Sequence, residues 1–292
     1  MRRSARRRPI ALVTSRIVIA GALCLASLAG MPAFAQTSDL VSKTAFRVCA
    51  DPANFPLSDK SEAGFENKIA ELMASELGLP LEYTWFPMAT GFIRKTLQAN
   101  ACDVVIGYAQ GDEMVLNTNH YYRSAYALVV KKDSDLASVT ELSDERLKGK
   151  HLGVVAGTPP ATIMNRLGLI ASAKPYQLFV DRRYNSPTEL MIKDIRSGDI
   201  DGGILWGPNA GFFANQGGDD LAVIPLLKEG RSPPMTFRIT MGVRQSDATW
   251  KRELNEIITK RQGDIDQILL DFHIPIVDEA DQQITSARRS GG

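Results

Sequence analysis

Two apolar runs decide the fold: SAYALVVK at residues 124–131 and MTFRITMGV at residues 235–243. Each has the length and the aromatic and β-branched content of a strand. Between them lies a block with strand and helix signals of its own. The chain therefore leaves one body, builds another and returns. Residues 43–127 with 238–280 are expected to form one lobe and residues 128–237 the other, with the two bracketing strands crossing between them as a hinge.

Working outward, each half alternates strand and helix. Residues 46–50 form a short apolar run, followed by a loop rich in Asp, Pro and Asn. Phe65, Ile69, Leu72, Met73 and Leu77 then recur at helical spacing, and Gly78 stands where a C-cap glycine belongs. Residues 81–86 read as a strand, 92–99 as a helix and 104–106 as a buried strand. In the second half, residues 151–155 and 177–181 read as strands. Gly157-Thr158-Pro159-Pro160 opens a helix to about Leu167. Ser186-Pro187 is an N-cap residue followed by proline at the first helical position, and that helix runs to Gly198 before a strand at 204–206. Strands separated by helices imply parallel pairing through crossovers. The junctions LQANACD at 97–103 and IRSGDID at 195–201 echo each other: a helix end, an Asn or Gly able to take positive φ, then Asp and a strand. Two helices close the chain, one from Asp247 with Trp250, Leu254, Ile257 and Ile258 on one face, and one carrying Ile265, Ile268, Leu269 and Phe272. Residues 281–292 are expected to be a disordered tail. The fold class is α/β, two lobes, each a mainly parallel sheet flanked by helices.

Residues 1–35 have the three parts of a secretory signal peptide: a run of arginines, an apolar segment near 17–28, and Ala33-Phe34-Ala35. Sec-type export with cleavage near Ala35/Gln36 would place the protein in a periplasm. Whole-chain charge is 34 Lys+Arg against 33 Asp+Glu. Removing the six arginines of residues 1–35, which hold no acid, leaves 28 basic against 33 acidic residues, a net of about −5. That balance argues against nucleic-acid binding. No later segment has the length of a transmembrane helix.

Several motifs occur together: VCADP at 48–52, GFENKIA at 64–70, YTW at 83–85, GFIR at 91–94, CDVVIG at 102–107 and YYRS at 121–124. With them the chain resembles the type II periplasmic solute-binding fold. Within it, the chain is similar to the binding-protein-like partners encoded beside quinoprotein methanol dehydrogenases, the MxaJ/XoxJ type. The resemblance implies a non-enzymatic protein that binds the catalytic subunit of a methanol dehydrogenase and assists its activation, maturation or assembly, with the cytochrome c system as a further contact. The partner would carry pyrroloquinoline quinone and metal; this chain needs no cofactor. Amino-acid-binding relatives carry an Arg shortly after the DVVIG-like strand to grip a carboxylate. Here residues 107–114 read GYAQGDEM, with two acids and no Arg. An ABC-importer binding component for a small polar or aromatic solute and a secreted dehydratase on the same fold are the alternatives.

Ligands of open α/β sheets collect beyond the carboxyl ends of strands. The cleft candidates are therefore Asp51, Asn54, Glu66, Trp85, Tyr108, Gln110, Arg123, Thr158, Trp206 and Asn209, with Phe86, Phe212 and Phe213 as further aromatic walls. The cleft is expected to hold a small ligand or a peptide. A dehydratase would need a tuned acid such as Asp51, Glu66 or Glu113. His120, His151 and His273 are far apart, and no metal-ligand spacing, nucleophile elbow or Walker loop is present. Cys49 lies on the first strand and Cys102 enters its expected parallel neighbour. Neighbouring strands about 5 Å apart suit a disulfide, so a Cys49–Cys102 bond is expected.

Overall fold

A computed structural model describes residues 40–178, 180–181, 186–230 and 232–288. Residues 1–35, read as a leader, lie outside them. The chain opens with β1 (Phe46–Ala50), a short hairpin of β2 (Ala53–Asn54) and β3 (Ser58–Asp59), and α1 (Phe65–Leu77). Phe65, Ile69 and Met73 bury one face of α1, and Gly78 closes it at φ 63° with its N–H on Ala74 O and Ser75 O. Then come β4 (Leu81–Trp85), α2 (Phe92–Lys95), β5 (Val104–Ala109), β6 (Leu116–Asn117) and the long β7 (Tyr122–Lys131). The second half holds β8 (Leu152–Val155), α3 (Pro159–Arg166), β9 (Lys174–Tyr176), α4 (Pro187–Ser197), β10 (Gly202–Trp206), α5 (Gly207–Asn215) and β11 (Leu221–Pro225). β12 (Thr236–Val243), α6 (Ala248–Lys260) and α7 (Gln262–Asp271) complete the order.

The strands run β4-β1-β5-β12-β7-β10-β8-β9, with β11 also beside β7 and β6 beside β12. β1 pairs in parallel with β4 and β5, and β8 pairs in parallel with β10 and β9. β7 is the link. Its start pairs with β12, from Tyr122↔Ile239 to Ala125↔Thr236, and the rest pairs with β10 and β11. Two lobes with separate cores result, joined by the crossing strands β7 and β12. Phe46, Phe65, Met241, Trp250 and Leu269 centre one core; Leu128, Leu136 and Met164 centre another on one face of the second sheet, with Met191, Ile195 and Phe213 on its other face.

Cys49 and Cys102 form a disulfide with Cα atoms 5.5 Å apart. Their placement follows from the parallel β1–β5 ladder, where Cys49 faces Val105. Ser186 caps α4 by accepting Glu189 N–H at 3.2 Å, and Gly198 ends it at φ 84°.

Three readings differ. The helix expected over 92–99 stops at Lys95, because Thr96 turns its hydroxyl back to Phe92 O at 2.7 Å and leaves helical geometry. The strand expected at 177–181 is instead Lys174–Tyr176. Its ladder partner β8 ends at Val155, opposite Tyr176, so nothing remains for Gln177 to pair with. The tail expected to be disordered is anchored from Asp281 to Arg288: Gln283 bridges Val277, and the Arg288 guanidinium sits on the buried Asp266 at 2.6 Å.

Candidate functional site

The carboxyl ends of the second lobe's strands face the β2–β3 hairpin of the first across a cavity of about 490 Å³. β10 runs into α5 without a loop, so Trp206 is at once the last strand residue and the N-cap of that helix. Thr158 and Ser186 are the N-caps of α3 and α4. All three line the cavity, so three helix N-termini share one wall and give it partial positive charge. Besides the Tyr126 phenol, the ionisable side chains among the described lining are the carboxylates Asp59 and Glu189.

The polar wall is largely self-satisfied. Thr158 Oγ1 donates to Val155 O at 2.6 Å, and Asn209 Nδ2 donates to Thr188 Oγ1 at 3.3 Å. Ser186 Oγ is taken by its own helix, and Asp59 accepts Ala63 N–H and Ser61 Oγ at 2.9 and 2.6 Å. Beside Gln177 and Glu189, the wall carries aromatic surface. Trp206 and Tyr126 line the cavity with ring centroids 5.4 Å apart, and Phe237 stands behind Trp206 at 5.7 Å. Burial pushes the Tyr126 phenol up to about 12, so it stays neutral. Phe55, at the hairpin tip, is partly exposed and meets Phe212 of α5 edge-on at 4.9 Å. No histidine is among the described lining. Nor, among the described residues, does any group of three His, Cys, Asp or Glu side chains stand together to hold a metal.

Of the sequence candidates, Asn54, Thr158, Trp206 and Asn209 are brought together at the cavity. The other six do not line it. Asp51 is buried and accepts the N–H groups of Ala53 and Met88 at 2.9 and 2.7 Å, holding the hairpin and the loop after β4. Glu66 is buried against Gly107, whose φ of 81° and missing side chain leave it room. Burial, then the nearby Asp51 charge, pushes the Glu66 carboxyl up to about 8. Trp85 stacks on Tyr83 at 4.4 Å on the edge strand β4. Tyr108 donates to Asp112 at 2.7 Å and packs beside the disulfide. Gln110 is exposed in the turn after β5, and Arg123 pairs with Asp281 at 2.7 Å. Of the further aromatics, Phe86 and Phe213 sit in separate clusters, and Phe212 lies behind Phe55. Sequence reasoning missed Phe55, Tyr126, Gln177 and Glu189. The Ser186-Pro187 cap was a signal for the last of these, since a helix start at a strand's carboxyl end points to the cleft.

Fold and cavity together define a two-lobed periplasmic-type binding protein. The chain belongs to the bacterial extracellular solute-binding proteins, family 3, whose model matches residues 44–272. It is 30% identical over 290 residues to Protein MoxJ of Methylorubrum extorquens, covering 90% of this chain and 96% of that one. Among solved structures it is similar to the periplasmic binding protein XoxJ from Methylobacterium extorquens AM1, at 41% identity and a TM-score of 0.68, covering 80% of this chain and 100% of that one. MxaJ from Methlophaga aminisulfidivorans MPT matches at 25% identity with the same TM-score and coverage. Among the described residues no helix is long and apolar enough to cross a membrane.

Proposed function

We propose that this chain is an exported, non-enzymatic binding protein of methanol oxidation. It binds the catalytic subunit of a pyrroloquinoline-quinone-dependent methanol dehydrogenase and assists its activation, maturation or assembly, with the cytochrome c system as a further contact. The single observation that carries this reading is the likeness to XoxJ, 41% identical across the whole of that chain. The chemistry of the cavity supports it. A small charged solute needs free donors and acceptors aimed at it. This wall sets the rings of Trp206, Tyr126 and Phe55 beside a few polar side chains, a mixture that suits a segment of a protein partner. Cleavage near Ala35/Gln36 and work in the periplasm belong to the same proposal.

The test is retention of periplasmic extract from methanol-grown cells on the immobilised chain lacking residues 1–35. The dehydrogenase subunit is expected to be retained and to be lost on Trp206→Ala. The importer reading has one observation in its favour, since about 490 Å³ is a volume that small-molecule sites have. A micromolar solute found by thermal shift, with no dehydrogenase retained, would replace the proposal with that reading.

A further inference from the structure

The segment after α7 returns across both crossing strands. His273 and Pro275 lie against the face of α5 that carries Gly207 and Gly211. A Cβ at Gly211 would stand 2.0 Å from His273 O, and one at Gly207 would stand 2.4 Å from Ala125 O and 3.1 Å from Pro275 Cγ. Neither position has room for a side chain. Ser124 Oγ donates to Pro275 O at 2.7 Å, and Val277 N–H donates to Arg123 O at 3.0 Å. The chain then doubles back to α7, where Arg288 gives both its N–H and its guanidinium to Asp266. One continuous stretch thus touches α5 of the second lobe, the crossing strand β7, and α7 of the first lobe.

Charge adds a second hold. Arg123 of β7 and Arg238 of β12 are direct register partners in the antiparallel ladder. Like charges placed opposite each other repel. The returning segment supplies the missing acids. Asp281 accepts Arg123 Nη2 at 2.7 Å, and Glu279 accepts Arg238 Nη2 at 2.6 Å. Glu279 also lies 2.9 Å from His120 Nε2 and 4.0 Å from Arg123 Nη1. Arg123 further donates to the Asp278 carbonyl. The Arg238 hydrogen bond holds the Glu279 carboxyl below the usual carboxylate range.

We propose that residues 273–288 are a strap that fixes the angle between the lobes, seated on Gly207 and Gly211 and fastened by Glu279 and Asp281 against the mutual repulsion of Arg123 and Arg238. Bending the two strands changes the spacing of that arginine pair, so the strap resists bending while its acids are in place. Glu279, Asp281 and Arg238 are about half exposed, so the fastening weakens with salt.

The test places spin labels on one helix of each lobe, at Ser75→Cys in α1 and Lys193→Cys in α4, in the leader-free chain with its disulfide intact. Dipolar spectroscopy at low salt should give one narrow distance. In the Glu279→Gln/Asp281→Asn variant a second, longer distance should grow, by roughly two- to fivefold per lost ion pair. High salt should do the same to the parent chain. Adding Arg238→Gln to the double variant removes one of the repelling charges and should restore the narrow distance. A distribution unmoved by both the variant and salt overturns the strap. So does a shift that Arg238→Gln leaves in place. Should circular dichroism show the double variant unfolded, the salt series on the parent chain decides alone.

Discussion

Asp103 and Asp201 hold matching places in the two lobes and are built differently. Each enters a strand three residues after a left-handed residue, Asn100 at φ 56° and Gly198 at φ 84°. Each N–H reaches across to the start of the neighbouring strand, to Arg47 O within β1 and to His151 O just before β8, both at 2.8 Å. There the likeness ends. Asp103 is fully buried, grips Arg47 with both oxygens at 2.8 Å and accepts Arg244 at 2.7 Å, while Arg244 also pairs with buried Asp247. Asp201 is exposed and accepts His151 N–H. The disulfide lies beside Asp103, and the second lobe has no cysteine. Yet the second lobe supplies most of the cavity wall. A braced first lobe therefore carries a less braced one that presents the binding surface. Local opening free energies differ across a structure for such reasons, and binding surfaces tend to come from the less stable part.

The largest expected effect comes from removing the brace. Cys49→Ser with Cys102→Ser opens a 53-residue loop and should lower stability by about 4 kcal/mol in guanidinium unfolding. The loss should fall on first-lobe amides in hydrogen exchange. Equal loss of protection in both lobes would contradict the contrast. Next, Asp103→Asn leaves Arg244 buried with one of its two carboxylate partners and should cost about 3 kcal/mol. Burial raises the Asp103 carboxyl, but hydrogen bonds from Arg47 and Arg244 outweigh it and hold the group below its ordinary value. Its contribution is therefore present above the unfolded value, near pH 4, and lost as pH falls through the folded one. Acid titration should unfold the parent chain steeply there and the variant less so.

Glu66 is a cost inside the braced lobe. Its folded value of about 8 lies above the unfolded carboxyl value, so the contribution of Glu66 to stability is greatest below about pH 4.5 and is lost as pH rises toward about 8. Glu66→Gln abolishes that loss. The variant's Tm should exceed the parent's at pH 8, by a margin worth on the order of a few kcal/mol that shrinks toward pH 5. A constant difference across that range would place the effect in packing instead. The smallest effect is expected at Asp201→Asn, below about 1 kcal/mol, since the side chain is exposed and holds a single backbone N–H. A loss equal to that at Asp103 would erase the distinction between the lobes.

Much of this frame was readable in the sequence, because local chemistry sets it. Gly78, Ser186-Pro187 and Gly198 end and start helices by their own backbone preferences. The long runs that became β7 and β12 marked the crossing, and the spacing of Cys49 and Cys102 on neighbouring strands marked the disulfide. The cleft was read only in part. Asp51 stands at the end of β1 and Glu66 in the first turn of α1, where ligand-binding acids also stand, but one satisfies backbone N–H groups and the other is buried against Gly107. Strand periodicity does not say which way an end residue turns. Arg288 on Asp266, and the acids facing Arg123 and Arg238, depend on chain reversals that no local pattern encodes.

Binding through the aromatic wall is best tested by interferometry with purified methanol dehydrogenase and the immobilised leader-free chain. Saturable binding is expected, weakened tenfold or more by Trp206→Ala, about the loss of one anchor residue, and unchanged by Asp201→Asn. Absence of binding, or equal affinity for the parent and Trp206→Ala chains, would contradict it.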